Sequence, residues 1–466
     1  MRLLFLLLLF ACAMQSPGQE HHQTISLTPS IDKSAILGIW WSPEMQQSAA
    51  FQIEDSTIYY PDQFAQYKYA LHNDSLFVFR DEGVGISVIV RVTADTLVLS
   101  AFGHEDIFTR TETQPAESIT TLTGADGVVH RHIVRTAGPL NVHTLSIDLR
   151  KPELDIITAL ALDSLLGRER TSSIAKRHPN VLAAINADFF NMKTGEADLN
   201  QVMEGEIVKG VKKPLRSQFG IGYSRTPYIE SFMFEGSAIT RRGVIRIDGV
   251  NIGADSAIVL LNHFSDWPDR NGATIVALKF AHIAGDTIVT VAFANDYMGK
   301  LGRINDSVYV LAATKRTELN GIAPRDTVKF VLGFLPKTER LKTLVGGLPA
   351  IIRVGEIIAQ DSMPGMSRRF SETRHPRTGV GFSKDGHTVY FVTVDGRQES
   401  SVGMSLTEFA ELMLELGCYY ALNLDGGGST TMVVEGKVVN SPSDATGERP
   451  VANVLMVVIG HPMSGK

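Results

Sequence analysis

The stretch Asn423-Leu424-Asp425-Gly426-Gly427-Gly428-Ser429-Thr430-Thr431 decides how the rest of the chain is interpreted. It lies between the apolar runs 419–422 and 432–434, a pattern that predicts a strand, a tight glycine loop and a second strand. Three successive glycines permit positive φ angles and let a ligand or a second backbone approach closely, and their N–H groups can converge on an anion. A hairpin with a glycine-rich turn is the alternative. The Asn and Asp before the glycines and the hydroxyls after them favour a binding site.

Composition excludes several classes of protein. The chain has 466 residues, of which 44% are hydrophobic and 20% are charged, and its length suggests about three domains. Lys and Arg total 44 against 50 Asp and Glu, so the net charge of -6 gives no reason to expect a nucleic-acid partner. With only two cysteines, Cys12 and Cys418, the chain can form neither a disulfide framework nor a Cys-rich zinc site.

Residues 1–20 predict a signal peptide. Arg2 precedes the short apolar run 3–10, which is too short for a permanent membrane anchor. Leu9-Phe10-Ala11-Cys12 resembles a bacterial lipoprotein cleavage box, whereas Ala11-Cys12-Ala13 also fits ordinary cleavage. We therefore expect an exported protein that, if bacterial, is periplasmic, at the surface or an outer-membrane-anchored lipoprotein, with membrane contact only in the case where Cys12 carries a lipid.

Residues 31–112 predict a small all-β domain, either a barrel or a sandwich, that is similar to lipocalin-like modules. Short β-rich segments alternate there with turn residues. The predicted strands are 51–53, 57–60, 75–79, 87–92 and 96–99. A polar join at 111–118 marks the domain boundary.

Residues 120–464 predict a strand-rich α+β domain built on a mixed α/β sheet. Three of its apolar strands end in aspartates, namely Asp188, Asp395 and Asp425. Between the last two strands, Ser405 and Glu408 form a capping box that predicts a helix ended by Gly417. Carboxylates at like ends of neighbouring strands face one crevice, where such sheets commonly bind ligands.

Four ordered motifs resemble the phosphodiester glycosidase family over about residues 125–460. They are 375–378 (His-Pro-Arg-Thr), 394–396 (Val-Asp-Gly), 423–429 and 442–444 (Pro-Ser-Asp), with 186–191 upstream. The resemblance implies hydrolysis of the glycosidic C–O bond of a sugar-1-phosphodiester with an N-acetylglucosamine-like sugar. It implies a glycan or sugar-phosphate substrate and no required cofactor.

The residue types fit this chemistry. Arg377 and Arg449 offer planar donors for phosphate oxygens. Asp425 is the first candidate for the carboxylate that stabilises or traps the developing positive charge at the anomeric carbon, and Asp395 and Asp188 are the candidates for the partner acid or base. The other expected substrate contacts are Asn186, His375, Thr378, Asn423, Gly426, Gly427, Gly428, Ser429, Thr430 and Asp444.

Two alternatives remain open from the sequence. A metal-dependent phosphodiesterase would cleave the P–O bond with a divalent cation held by Asp188, Asp395, Asp425 and His375. A surface glycan-binding protein on the same scaffold would leave the acids idle. The products distinguish the glycosidase from the phosphodiesterase, and the absence of turnover would indicate the glycan-binding protein.

Overall fold

The computed structural model describes residues 31–42, 49–60, 65–81, 83–110, 116–122, 126–135, 139–212, 216–253, 257–268, 272–293, 302–358 and 367–460. The predicted signal peptide and Cys12 lie outside the described residues. The chain divides into two compact units, residues 1–42 with 48–112 and residues 43–47 with 113–466. In the part that the structure describes, no helix combines the length and the apolarity needed to cross a membrane.

The first unit is an eight-stranded antiparallel meander whose strands pair in chain order. The strands are β1 (Gly38–Trp40), β2 (Phe51–Ile53), β3 (Thr57–Tyr60), β4 (Ala65–His72), β5 (Ser75–Arg80), β6 (Gly83–Val92), β7 (Thr96–Ala101) and β8 (His104–Thr109). Trp41 and Thr109 exchange main-chain hydrogen bonds of 2.7 and 2.8 Å, which joins the last strand to the first. This closure makes the meander a barrel and removes its open edges. The Arg110 guanidinium lies 4.1 Å from the buried Trp40 ring.

Within the described residues, the second unit contains strands β9 to β34 and three short α-helices. In chain order they are β9 (Ala116–Thr121), β10 (Val128–Arg135), β11 (Leu140–Asp148), β12 (Leu154–Leu160), α1 (Thr171–Arg177), β13 (Val181–Asn186), β14 (Gln201–Met203), β15 (Glu206–Lys209), β16 (Gln218–Gly222), β17 (Pro227–Glu230), β18 (Met233–Thr240), β19 (Gly243–Ile247), β20 (Gly249–Val250), β21 (Ile258–Leu261) and β22 (Ala273–Ala284). They continue with β23 (Thr287–Ala292), β24 (Val308–Thr314), β25 (Thr327–Leu335), β26 (Leu341–Gly346), β27 (Ala350–Arg353), β28 (Glu356–Ile357), α2 (Arg368–Glu372), β29 (Arg377–Phe382), β30 (Thr388–Val394), α3 (Leu406–Glu415), β31 (Tyr420–Asn423), β32 (Met432–Val434), β33 (Lys437–Val438) and β34 (Asn453–Ile459).

These strands form four sheets. Sheet A has the order β28-β27-β31-β29-β30-β11-β10-β9, and sheet B has the order β12-β34-β13-β32-β33. Sheet C has the order β15-β14-β26-β16-β17, and sheet D has the order β19-β18-β25-β23-β22-β24-β21-β20.

The prediction of an α+β domain on a mixed α/β sheet is wrong. Strands account for 53% of the structure and helices for 9%, so the fold is nearly all-β, with barrel-like sheets. The physical reason is that nearly all neighbouring strands pair antiparallel and need no helical crossover. The one predicted strand–helix–strand unit was not representative of the domain.

That unit, β30–α3–β31, nevertheless positions two of the aspartates. β29 pairs antiparallel with both β30 and β31, so these two strands run in the same direction on either side of it. The predicted capping box at the start of α3 is confirmed: Ser405 Oγ accepts from Glu408 N–H at 3.2 Å, and Glu408 Oε2 accepts from Ser405 N–H at 2.7 Å.

Sheets A and B pack on one apolar core. Phe391 and Leu422 from sheet A and Ile185 and Leu455 from sheet B are all fully buried in it. This core fixes the ends of β13, β30 and β31 relative to one another.

Candidate active site

Asn186, at the end of β13, connects three distant segments of the chain. Its Nδ2 donates to the main-chain carbonyl of Asp425 at 2.5 Å. Its Oδ1 accepts from the Thr378 hydroxyl at 2.9 Å and from the Thr431 N–H at 3.1 Å. Asn186 and Thr378 are both fully buried, so this geometry makes them part of the scaffold, in contrast to the sugar contacts that the sequence predicts.

The glycine loop, residues 426–428, passes very close to other parts of the protein. A Cβ on Gly426 would lie 2.7 Å from the Pro376 carbonyl oxygen, and a Cβ on Gly427 would lie 3.1 Å from Arg397 Nη2. Gly427 also has a φ of 61°, which disfavours other residues. The loop therefore needs glycine both for backbone conformation and for space.

The third glycine packs against an ion pair. A Cβ on Gly428 would overlap the Asp444 carboxylate and the Arg449 guanidinium. Arg449 donates its Nε and Nη2 to the two Asp444 oxygens at 2.8 and 2.9 Å. This bidentate pair lies directly against the loop and is partly exposed.

The main-chain amides of the loop are largely engaged in its own turn. Gly427 N–H donates to the Pro376 carbonyl at 2.9 Å. Ser429 and Thr430 N–H groups donate to the Gly426 and Gly427 carbonyls, each at 3.2 Å. These three amides therefore differ from the anion-binding hollow that the sequence predicts.

Two guanidinium groups flank the glycine loop instead. Arg449 lies against Gly428, and Arg397 lies against Gly427. Arg397 is exposed, and its Nη2 lies 3.2 Å from His375 Nδ1. Burial and the charges of Arg377 and Arg397 lower the pKa of His375, so a neutral imidazole can accept this hydrogen bond.

Asp425 is the most accessible of the three predicted catalytic carboxylates. It lies two residues after the end of β31, and the residue as a whole is partly exposed. Burial raises the pKa of Asp425 to about 6, against the opposing effects of the nearby Ser429 hydroxyl and the Arg449 charge. A carboxylate with this pKa is mostly ionised at neutral pH and is a competent nucleophile or charge stabiliser.

Asp395 is held inside the protein. It is 3% exposed, and its carboxylate accepts from Asn440 Nδ2 at 2.9 Å and from Ser441 N–H at 2.9 and 3.0 Å. Asn440 Nδ2 also donates to the Thr430 carbonyl at 3.1 Å. Burial raises the pKa of Asp395 to about 6. Through Asn440, the contacts of Asp395 connect the loop after β33 to the hydroxyl-bearing residues 429–431.

Asp188 is also buried but has one unpaired oxygen. Its Oδ2 accepts from the Leu199 N–H at 2.9 Å, and its carboxylate lies against Gly346, where a Cβ would overlap it. Burial raises the pKa of Asp188 to about 7, and the charge of Asp198 adds to the shift. This carboxyl group can therefore hold a proton at a higher pH than an ordinary aspartate.

Several buried side-chain atoms of the predicted site have no hydrogen-bond partner among the described residues. They are Asp188 Oδ1, Asn423 Oδ1, Ser429 Oγ, Thr430 Oγ1 and Thr431 Oγ1. Buried polar atoms are nearly always paired, so such a concentration indicates a place for a ligand or ordered water. The Asn423 amide nitrogen is engaged, because it donates to the Leu348 carbonyl at 2.6 Å.

Arg377 has a structural environment. It is 2% exposed and donates to the carbonyls of Met404, Phe370 and Thr373 at 2.9, 2.9 and 3.1 Å. Burial lowers the pKa of Arg377 to about 10. This arrangement differs from the phosphate fork that the sequence predicts.

Sequence reasoning missed an ion pair beside the carboxylates. Arg216 Nη1 donates to Asp198 Oδ2 at 2.9 Å, and the charge of Asp198 raises the pKa of both Asp188 and Asp425. Asp198 lies in the polar segment that follows Asp188, which was a usable signal. No local pattern marks Arg216.

The described residues offer no set of metal ligands at this site. Among the described residues, no three His, Cys, Asp or Glu side chains lie together in a way that could hold a metal ion. Asp188, Asp395, Asp425 and His375 thus do not form the cluster that the phosphodiesterase alternative requires.

Known proteins match parts of this chain. The phosphodiester glycosidase family matches residues 283–458. The chain is 36% identical over 129 residues to the Bos taurus N-acetylglucosamine-1-phosphodiester alpha-N-acetylglucosaminidase, covering 24% of each chain. It is 38% identical over 104 residues to the SPbeta prophage-derived uncharacterized protein YomE of Bacillus subtilis (strain 168), covering 22% of this chain and 16% of YomE. The chain therefore spans a quarter or less of the length of these curated relatives.

A solved structure supports the fold over most of the chain. The crystal structure of a hypothetical protein from Synechocystis aligns with a TM-score of 0.56 at 16% identity, covering 89% of this chain and 80% of that one. The family match includes β29 to β34 and the glycine loop, while Asn186 and Asp188 lie outside it. Over residues 283–458 this chain resembles the phosphodiester glycosidase family.

Proposed function

We propose that the protein is a hydrolase that breaks the glycosidic C–O bond of a sugar-1-phosphodiester with an N-acetylglucosamine-like sugar, releasing free sugar and a phosphomonoester. One observation carries this proposal: Asp425, a partly exposed residue two positions after the end of β31, opens a glycine loop flanked by Arg397 and Arg449. The family match and the activity named for the Bos taurus relative support the same reaction class.

Asp425 acts at the anomeric carbon. As the bond from this carbon to the phosphate oxygen breaks, the electron pair leaves with the phosphate and positive charge develops on the sugar. The ionised carboxylate stabilises or traps this charge. Water then supplies the hydroxyl group of the free sugar and releases one proton.

The two guanidinium groups receive the leaving phosphate. The phosphomonoester gains negative charge as it departs, so cations at its oxygens favour the transition state. Arg449 is already bound to Asp444, whereas Arg397 forms no ion pair with a carboxylate within the described residues. Arg397 is therefore the better candidate for direct phosphate contact, a role that the sequence had suggested for Arg377.

Asp188 is the stronger candidate for the partner acid or base. Its pKa of about 7 lets it hold or release a proton at neutral pH, and its Oδ1 has no partner among the described residues. Asp395 has donors on both of its carboxylate oxygens.

We also propose that the protein is exported and carries a lipid on Cys12, on the basis of residues 2–13 alone. Mass spectrometry of the mature N-terminus tests this directly. An N-terminus that begins elsewhere, or an unmodified Cys12, contradicts it.

Product analysis with a panel of sugar-1-phosphodiesters tests the reaction. We expect free reducing sugar and a phosphomonoester from the wild type; sugar-1-phosphate and an alcohol would indicate P–O cleavage and refute the proposal. Asp425→Asn is the inactive comparison. Asp306→Asn, an exposed turn aspartate between sheet D strands, is the matched control and should retain wild-type turnover.

A further inference from the structure

A cavity lies outside the glycine-loop site. Its volume is about 590 Å³, and it shares none of the site residues described above. The lining comes from sheets C and D: the β14–β15 hairpin, the segment after β21, the β22–β23 hairpin and the end of β25. Cavities of about 300–1,000 Å³ are the usual size for small-molecule sites.

The polar wall of this cavity is pre-organised. Glu206 Oε1 accepts from Asn262 Nδ2 at 3.2 Å and lies 3.4 Å from His263 Nδ1. Asn262 is itself fixed by the buried Asn251, whose Nδ2 donates to Asn262 Oδ1 at 2.5 Å and whose Oδ1 accepts from Asn262 N–H at 3.0 Å. Two buried asparagines therefore hold one carboxylate at the cavity surface, an arrangement that core packing alone does not require.

Aromatic rings form the other walls. Tyr223 lies beneath the Arg340 guanidinium at 5.2 Å, and Phe264 packs on His263 with ring centres 4.0 Å apart. Tyr309 is partly buried, and burial together with the Glu206 charge raises its pKa, so its phenol remains a neutral donor. Flat apolar faces beside fixed hydrogen-bonding groups suit the two chemical faces of a pyranose ring.

The charge of the lining disfavours an anion. Four carboxylates line the cavity, namely Glu204, Glu206, Asp286 and Glu339. Of the two Lys and Arg residues in the lining, Lys337 is paired with Glu235 at 2.6 Å and Arg340 is stacked on Tyr223. A phosphodiester would meet repulsion here, so the ligand chemistry differs from that of the glycine loop.

We propose that this cavity is a second carbohydrate-binding site that takes one or two neutral pyranose units of a glycan. Glu206 and His263 contact the ring hydroxyls, and Tyr223 and Phe264 contact the apolar faces. The proposal does not depend on the reaction assigned to the glycine loop.

Binding of neutral disaccharides to the full protein tests this site. The probes are N,N′-diacetylchitobiose, cellobiose and maltose, measured by saturation-transfer NMR and calorimetry, with glucose-1-phosphate as the anionic probe and glucosamine as the cationic probe. We expect at least one neutral disaccharide to bind and Glu206→Gln to weaken that binding at least tenfold. Glu356→Gln, an exposed glutamate in β28 and outside this cavity, is the matched control and should leave affinity unchanged.

Other outcomes overturn the proposal. They are no neutral disaccharide binding, equal affinity in both glutamate variants, tighter binding of glucose-1-phosphate or glucosamine that persists in Arg397→Ala, or a loss of disaccharide affinity in Arg397→Ala but not in Glu206→Gln. Thermal unfolding of each variant confirms that the fold is kept, and Tyr309→Phe provides a milder second variant if Glu206→Gln does not fold. Hydrolysis of small soluble substrates should be unchanged in Glu206→Gln, which separates failure here from failure of the hydrolase proposal.

Discussion

Two pairs of charged residues, each made of one aspartate and one arginine, lie near the glycine loop in different environments. The outer pair, Asp425 and Arg397, is at least partly exposed, and the inner pair, Asp395 and Arg377, is 3% and 2% exposed. Both residues of the inner pair form hydrogen bonds with main-chain or side-chain amide groups of the protein. The two residues of the outer pair border solvent. The comparison teaches that a strand determines where a polar residue at its end lies. The hydrogen-bond partners of that residue within the protein determine whether a ligand can reach it.

The largest difference should appear at the two aspartates. Asp425→Asn removes the carboxylate charge from the outer pair, so we expect kcat to fall by roughly 10³-fold or more. The free energy of unfolding should stay within about 0.5 kcal/mol of the wild type. Steady-state kinetics and denaturant titration measure both quantities, and retained turnover would remove Asp425 from the mechanism.

The arginine of the inner pair should matter mainly for stability. Arg377→Ala removes a donor from three carbonyls, of which that of Met404 keeps the His375 N–H, and opens a cavity, so the free energy of unfolding should fall by about 3 kcal/mol. Arg397→Ala, at an exposed position, is the matched control and should change it by less than about 0.5 kcal/mol. Equal losses in the two variants would erase the distinction between the pairs.

Asp395→Ala should destabilise the protein by a smaller amount. The substitution leaves the Ser441 N–H without an acceptor and removes one of the two acceptors of Asn440 Nδ2, which costs about 2 kcal/mol. Thermal unfolding measures the loss. If stability were unchanged while kcat collapsed as in Asp425→Asn, Asp395 would belong with the outer pair.

Arg397→Ala should weaken substrate binding. Loss of one charge-assisted contact to the phosphate should raise KM by about tenfold. Arg397→Lys should recover part of the affinity, because it keeps the charge but not the planar fork. An unchanged KM in the alanine variant would place the phosphate elsewhere.

The pH profile should show the mildest effect. Because burial raises the pKa of Asp425 to about 6, its reactive ionised form is lost as the pH falls through this value. The kcat/KM at pH 5.5 should be about fourfold below its upper limit. Asp188, with a pKa of about 7, should produce a decline on the alkaline side if it donates a proton, and Asp188→Asn should then remove that decline. A flat profile between pH 5 and 8 contradicts both assignments.

Local sequence patterns predicted the elements well. The predicted strands 51–53 and 57–60 coincide with β2 and β3, and the capping box starts α3 as expected. These features depend on neighbours in the chain, so period, turn residues and caps are sufficient to find them.

Architecture and partner sets were harder to predict. The one helix between β30 and β31 suggested a mixed α/β sheet, because strand pairing over long sequence separations leaves no local pattern. In the same way, Arg377 and Arg397 look alike in the sequence, and only the carbonyls around Arg377 show that its guanidinium is engaged. No sequence motif predicts that Arg216 and Asp198 form an ion pair.

The Asn186 amide has a consequence for folding. Its hydrogen bond to the Asp425 carbonyl closes a span of 239 residues, and β13 lies between β32 and β34 in the middle of sheet B. We expect contacts between residues so far apart in the sequence to form late in folding, since closing a very large loop costs chain entropy. Residues 283–458 expressed alone would lack this central strand, so we expect the family-matched segment to be incomplete as an independent folding unit.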